Sequence, residues 1–178
     1  QAVAEWNLQP PGATGVIVLM DSLTDDAVAG GPIEIEIAER SKLLIIAGEW
    51  PLEPTPGAPP GSVQRVPGHF DAQQVRAHLI GDVVVRGSAP ADSDNAGACF
   101  VNGLLLEGQL VVAPGNLGTL GLAHCTVIPG RGALTVQAGG NERLGLAIDH
   151  SICAAIGAPD PLRTIEISDS IVGDDSGS

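Results

Sequence analysis

The chain has 178 residues and a mass of 18.0 kDa, and it contains 24 glycines, two phenylalanines, two tryptophans and no tyrosine. Hydrophobic residues make up 44% of the chain, which excludes a disordered protein, and the length predicts one domain spanning residues 1–178. The net charge of −13 excludes proteins that bind nucleic acid or anionic membranes, because both need a basic surface. No apolar run approaches the roughly 20 residues of a membrane-spanning helix.

Strand signals dominate the chain. A short apolar run covers residues 15–20, and residues 33–37 alternate so that three isoleucines share one face. Aliphatic or β-branched runs follow, at residues 42–47, 82–86 and 104–112.

Two segments interrupt this pattern. Residues 51–67 contain six prolines and predict an irregular excursion, and residues 88–98 are small and polar. Because loops that leave a rigid scaffold often carry function, we expect both segments to be contact surfaces.

The C-terminal half contains a degenerate repeat. Residues 120–127, 146–153 and 165–172 share the order apolar, x, apolar, x, polar, small, x, apolar, and residues 104–111 fit it more loosely. Repeats about 20 residues apart, with variable loops between them, are typical of a solenoid. Each repeat is too small to bury its own apolar face, so it must stack on the next one.

The pattern therefore predicts an all-β, single-stranded parallel β-helix. The polar residue of each repeat would lie at a bend that switches which side chains point inward: His124, His150 and Asp169. The small residue after each bend would then face the lumen: Cys125, Ser151 and Ser170. A barrel or sandwich is the alternative fold, but it would show hairpin signals, and only one Asn-Gly pair is present.

The segment 165–172, read as I-x-I-x-[DN]-S-x-[IV], resembles the right-handed parallel β-helices of the pectate-lyase-like superfamily. The order of aliphatic segments from residue 30 onward is similar to β-helical parts of large bacterial proteins encoded beside phage-tail or contractile-injection baseplate components. This resemblance implies a structural or adhesive part of a tail-like particle. Fold alone does not assign chemistry, because the superfamily also contains polysaccharide lyases and glycoside hydrolases.

The best candidate for chemistry is the bend ladder His124, His150 and Asp169. Adjacent coils would bring these side chains within hydrogen-bonding range, and a histidine beside a carboxylate can act in acid–base catalysis. The alternative is that polar residues at such bends only satisfy backbone groups, which we favour. No catalytic residue, cofactor or metal is therefore expected, and the ladder stays an alternative active site.

Three other candidates are weaker. Asp149 aligns with Ala123 and Ser168 rather than with Asp169, so we expect no carboxylate pair of the glycosidase type. Residues 92–103 begin like a calcium loop but have glycine where the bidentate glutamate belongs. The thiol of Cys125 is expected to point inward and to be inert.

We expect a non-enzymatic structural or interaction module of a larger bacterial tail-like assembly, with other protein subunits as partners. A carbohydrate-active enzyme that binds polysaccharide is the alternative. The widely spaced Cys99, Cys125 and Cys153 favour free thiols and assembly in the cytoplasm. We also expect the chain to be a fragment of a longer protein, and the sequence leaves open whether residues 1–40 join the β-helix or cap it.

Overall fold

Short parallel strands recur along the chain and stack into three sheets. A computed structural model describes residues 1–49, 52–65, 75–128 and 132–173. Each of the first five coils adds one strand to each of these sheets, and the last described coil adds a strand to two of them. These strands pair with their equivalents in the next coil rather than with their sequence neighbours. The all-β parallel solenoid predicted from the repeats is confirmed.

The described residues form six successive coils. The first is β1 (Thr14–Leu19), β2 (Thr24–Asp26) and β3 (Ile33–Ile37), with a single 3₁₀ turn at Val28–Gly30. The second is β4 (Lys42–Ala47), the pair β5 (Leu52–Pro54) and β6 (Val63–Arg65), then β7 (His78–Ile80) and β8 (Val83–Gly87). The third is β9 (Ala98–Asn102), β10 (Leu105–Glu107) and β11 (Leu110–Val112).

Three further coils complete the described part of the solenoid. The fourth is β12 (Thr119–Ala123), β13 (Thr126–Val127) and β14 (Leu134–Val136). The fifth is β15 (Gly145–Asp149), β16 (Ile152–Cys153) and β17 (Ile156–Gly157), and the sixth is β18 (Thr164–Ser168) and β19 (Ile171–Val172). Sheet A is β1-β4-β9-β12-β15-β18, sheet B is β2-β7-β10-β13-β16-β19, and sheet C is β3-β8-β11-β14-β17.

The core is a set of aliphatic ladders that run along the lumen. In sheet A, Leu120 pairs with Leu146, and Leu122 pairs with Ile148, and all four side chains are buried. Because side chains alternate across a strand, every second residue of each strand faces the lumen and stacks on its equivalent in the next coil.

One end of the solenoid is capped. The helix α1 (Ala2–Trp6) packs on β1 and β3, and Trp6 is buried against Gly15. Trp6 Nε1 donates to the Glu36 carbonyl at 2.8 Å. Asn7 Nδ2 donates to the carbonyl of Glu34 at 2.8 Å, and its Oδ1 accepts the N–H of Glu36 at 3.0 Å. Residues 1–13 therefore cap the first coil, and the first coil itself begins at β1.

The sixth coil has no further coil stacked on it among the described residues. Its lumen-facing positions continue the ladders, since Ile165 pairs with Leu146 and Ile167 pairs with Ile148. Ile165 and Ile167 are about half exposed, whereas their partners in the fifth coil are buried.

Two expectations from the sequence need correction. The equivalent of residues 120–127 in the preceding coil is not 104–111, because Leu120 pairs with Cys99 and Ala123 with Asn102. The bend of that coil is Gly103, so residues 104–111 belong to β10 and β11. The proline-rich excursion is also less irregular than predicted over residues 52–65, since β5 and β6 form an antiparallel pair there. Residues 51, 66 and 67 of that prediction lie outside the described residues.

No helix in the described ranges has the length and apolar character needed to cross a membrane.

Candidate functional site

The predicted bend residues lie at equivalent positions, at the junction between sheets A and B. Positive φ angles are uncommon outside glycine, and His124, His150 and Asp169 adopt φ of 53°, 46° and 45°. Gly103, at φ 78°, occupies the same position in the third coil. Because the left-handed conformation turns the chain sharply, these residues end the strands of sheet A and start those of sheet B.

At two of the four bends, the serine that follows the bend supplies a hydrogen bond that the bend removes. Ser151 Oγ donates to the Asp149 carbonyl at 2.7 Å and accepts the N–H of Cys125 at 3.0 Å. Ser170 Oγ repeats this pattern one coil later, donating to the Ser168 carbonyl at 2.6 Å and accepting the N–H of Ser151 at 3.0 Å. These hydrogen bonds explain why, in the repeat, the polar residue at the bend is followed by a small residue.

The bend side chains form a cluster on the outer surface. His150 Nδ1 lies 3.0 Å from Asp149 Oδ2, and His150 Nε2 lies 3.8 Å from Asp169 Oδ2. The rings of His124 and His150 are 5.2 Å apart, centroid to centroid. The bend ladder of the sequence analysis is therefore brought together by the structure.

Asp149 also belongs to this cluster, although its place in the repeat differs from that of Asp169. The predicted alignment is observed, because Asp149 pairs with Ala123 and Ser168 in the neighbouring coils. The left-handed bend at His150 brings the side chains of residues 149 and 150 to the same side. The adjacent Asp-His pair at a repeat bend is the sequence signal that could have found it.

Electrostatics follow from these contacts. The Ser168 hydroxyl, which donates to Asp149 Oδ1 at 2.6 Å, lowers the pKa of Asp149, and the neighbouring His150 lowers it further. The hydrogen bond with Asp149 and its negative charge raise the pKa of His150, and Asp169 adds to this rise. The protonated form of His150 is thus stabilised by two carboxylates.

The cluster could exchange a proton or bind a cation. Asp149, His150 and Asp169 each offer one ligand atom, and these three atoms lie within 4.8 Å of one another. However, the side chains of these residues are 47%, 53% and 75% exposed, and they lie on the outer surface of the coils rather than in a cleft. Water therefore has free access to the cluster, which is unfavourable for acid–base catalysis on a sugar.

The outer face of sheet A is the second surface of interest. One outward row crosses the whole sheet and is aliphatic, aromatic or small until its last position: Val16, Leu44, Phe100, Gly121, Ala147 and Glu166. Val16 and Phe100 are 49% and 41% exposed. The Phe100 ring lies against Gly121 and leaves no room there for a β-carbon.

The 88–98 segment is held in place by several contacts. Asn116 Nδ2 donates to the carbonyls of Pro90 and Ser93, at 2.6 and 3.1 Å. Arg143 pairs with Asp94 at 2.5 Å, so one acid of the apparent calcium loop already has a cationic partner. The segment lies against the coils and ends where β9 begins at Ala98.

The three cysteines are free and buried, as the sequence predicts. Burial raises the pKa of Cys99 to about 12 and that of Cys153 to about 11, and it also raises the pKa of Cys125. Cys125 lies in the lumen-facing position after the His124 bend, so the adjacent His-Cys pair does not form a nucleophile.

No family model matches this chain, and neither a curated protein nor a solved structure matches it.

Proposed function

We propose that this protein is a non-enzymatic structural or interaction module that binds other protein subunits of a larger assembly. The observation that carries the proposal is the outer face of sheet A. There, Val16 and Phe100 are exposed on the central outward row, which is apolar from the first coil to the fifth, whereas the rows on either side carry polar residues such as Lys42 and Asp149. Exposed apolar patches of this kind are typical of protein–protein contact sites.

The geometry of the row supports a flat contact. Gly121 and Ala147 follow Phe100 in the same row, and neither residue has a large side chain that would project from the sheet. The Phe100 ring covers the backbone of the fourth coil at Gly121, so a partner could approach the backbone of the fifth coil closely at Ala147, with the Phe100 ring beside it as an aromatic anchor. Because the chain has a net charge of −13, a second copy would be repelled and a basic partner would be attracted.

The assembly that we propose is a bacterial tail-like particle, of the phage-tail or contractile-injection kind. The order of aliphatic segments supports this narrower proposal through its resemblance to baseplate-associated β-helices, and the repeat 165–172 supports a place in the pectate-lyase-like superfamily. A stack of hydrogen-bonded coils is stiff, and this suits a mechanical part of such a particle.

A carbohydrate-active enzyme on the same scaffold is the second candidate. The observation that favours it is His150, which is held between Asp149 and Asp169 at 3.0 and 3.8 Å. A lyase or hydrolase would also need a groove in which acidic, basic and aromatic side chains converge. Around the bend cluster, the described residues provide none of the aromatic side chains that would stack on a sugar.

A degradation assay separates the two proposals. The purified chain is incubated with a panel of acidic and neutral polysaccharides, with and without calcium, and products are measured as reducing ends and as unsaturated sugars. We expect no cleavage of any member. Cleavage that is lost in both His150→Ala and Asp169→Ala, but is kept in the matched surface variant Glu166→Ala, would overturn the structural proposal and assign catalysis to the bend cluster.

A further inference from the structure

The lumen of the first four coils contains a cavity of about 440 Å³. Its wall is aliphatic and comes from all three sheets, for example from Ile17, Leu79 and Val83. Engineered apolar cavities of roughly 150 Å³ stay dry and take up benzene, and natural ligand sites span about 300–1,000 Å³. This cavity is therefore large enough for an apolar ligand and is unsuited to water.

The cavity is confined to one end of the solenoid. Lumen-facing residues of the early coils keep some exposed surface, as in Ile45 and Val83. Their counterparts further along, Ile148 in the fifth coil and Leu134 in the fourth, are completely or almost completely buried. The lining residues furthest along the chain are Leu122, Cys125 and Val127, so the cavity ends at the fourth coil.

The mouth of the cavity lies between the capping helix and sheet B. Residues 1–3 line one side, and Asp25, Asp26 and Ala27 line the other. The cap does not close this side, because α1 packs on β1 and β3 rather than on β2. A ligand could thus enter along the axis of the solenoid without any coil separating.

Asp25 places a negative charge at this mouth. Asp25 pairs with Leu79, and Leu79 pairs with Leu106, so the aspartate occupies the first position of a lumen-facing ladder that is otherwise apolar. Among the described residues, no cationic side chain forms an ion pair with Asp25. An aspartate at an inward position gains nothing from packing, but it would pair well with a cation at the entrance.

We propose that the lumen binds an unbranched alkyl chain that carries an ammonium end group. The chain lies along the aliphatic ladders, and the ammonium group stays at the mouth beside Asp25, where Asp26 adds to the negative potential. The net charge of −13 further disfavours an anionic end group such as a carboxylate.

Isothermal titration calorimetry of the full chain at pH 7 tests the proposal with n-octylamine, n-decylamine and sodium decanoate, each below its micelle concentration. We expect one n-decylamine per chain. Each buried methylene should strengthen binding about fourfold, so that n-decylamine binds about 15-fold more tightly than n-octylamine. Decanoate should bind at least about tenfold more weakly than n-decylamine. The absence of saturable binding, or equal affinity for decanoate, would overturn the proposal.

Two pairs of variants locate the site. Asp25→Asn should weaken n-decylamine binding several-fold, whereas Glu166→Gln, which removes one charge at the other end of the solenoid, should leave it unchanged. Ile17→Trp fills the lumen and should abolish binding, whereas Val16→Trp, on the outer face of the same strand, should not. If Ile17→Trp does not fold, the comparison of Asp25→Asn with Glu166→Gln tests the site by itself. Asp25 is exposed, so its replacement by asparagine should leave the fold intact. Equal affinities of Asp25→Asn and Glu166→Gln would contradict the proposed site.

Discussion

The hydroxyl oxygen of Ser151 accepts a hydrogen bond from the backbone N–H of Cys125 on the preceding coil, at 3.0 Å. The left-handed bend at His124 turns the chain away from the regular ladder just before this N–H, and the buried serine side chain takes the place of a strand carbonyl. This contact explains why a small polar residue follows the bend, and it makes the stacking of the coils testable at single side chains.

Removing this acceptor should destabilise the protein. Ser151→Ala leaves the Cys125 N–H buried without a partner, and we expect the free energy of unfolding to fall by about 1–3 kcal/mol. The matched variant is Ser151→Thr, because threonine keeps a hydroxyl oxygen on the β-carbon that can accept the Cys125 N–H. It should lose clearly less stability, and urea unfolding of the two variants provides the comparison. Equal losses would show that the hydrogen bond is not what Ser151 contributes.

The positive φ angle at the bend predicts that two substitutions of His150 differ in their effect on stability. His150 has φ 46°, which glycine tolerates and β-branched residues strongly disfavour. His150→Val should cost about 1–2 kcal/mol of unfolding free energy. His150→Gly should change it by no more than about 0.5 kcal/mol. Midpoints of urea unfolding measure both, and a valine variant as stable as the glycine variant would be inconsistent with the left-handed bend.

The ion pair at the bend predicts a pH dependence. The pKa of His150 is raised, so its contribution to stability is complete below the ordinary value of 6.5 and is lost as the pH rises through the folded-state pKa. The pKa of Asp149 is lowered, so its contribution is present above the ordinary value of 3.8 and is lost as the pH falls through the folded-state pKa. The pair therefore stabilises the fold most between about pH 4 and pH 6.5.

Proton NMR titration of the His150 ring checks this directly. We expect the pKa of His150 to lie above 6.5 in the wild-type chain and to fall in Asp149→Asn. Ser168→Ala, which removes a hydrogen bond to Asp149 but no charge, should change the pKa of His150 less. An unchanged pKa in Asp149→Asn would rule out the pairing seen in the structure.

The fourth prediction concerns the stability lost when a β-carbon is added to a glycine between the strands. A β-carbon on Gly108 would collide with the carbonyl oxygen of Gly81, and one on Gly132 with the carbonyl oxygen of Gly108. Gly108→Ala should therefore cost about 1–3 kcal/mol, because the coils must move apart. Gly30→Ala is the control, since nothing lies within 4 Å of its added β-carbon. Thermal unfolding should separate the two variants, and matching melting temperatures would contradict the close stacking.

The sequence predicted the solenoid because the repeats 120–127, 146–153 and 165–172 keep one residue order. It misaligned the preceding coil because Gly103 replaces the polar bend residue there, and a glycine carries no side-chain signal of its role. The bend cluster was found only in part. Asp149 was set aside because pattern alignment compares equivalent positions, whereas the left-handed bend brings neighbouring positions together.

The lumen cavity and the apolar row on sheet A were beyond sequence reasoning for a different reason. Both depend on which residues of distant coils become neighbours, such as Val16 with Leu44 and Asp25 with Leu79. Alternation within one strand shows which side chains share a face, but it does not show whether the opposite ladders meet across the lumen or what covers the outer face.

Residue-level oxidative footprinting tests the proposed function most directly. The purified chain and the protein in its native assembly, isolated under non-denaturing conditions, are labelled with hydroxyl radicals and compared at Phe100 and Val16. Leu8 and Leu23, which are exposed away from sheet A, serve as references. We predict that Phe100 and Val16 lose most of their labelling in the assembly while Leu8 and Leu23 keep theirs. Equal labelling of Phe100 in the two samples would contradict an interaction module that binds through the outer face of sheet A.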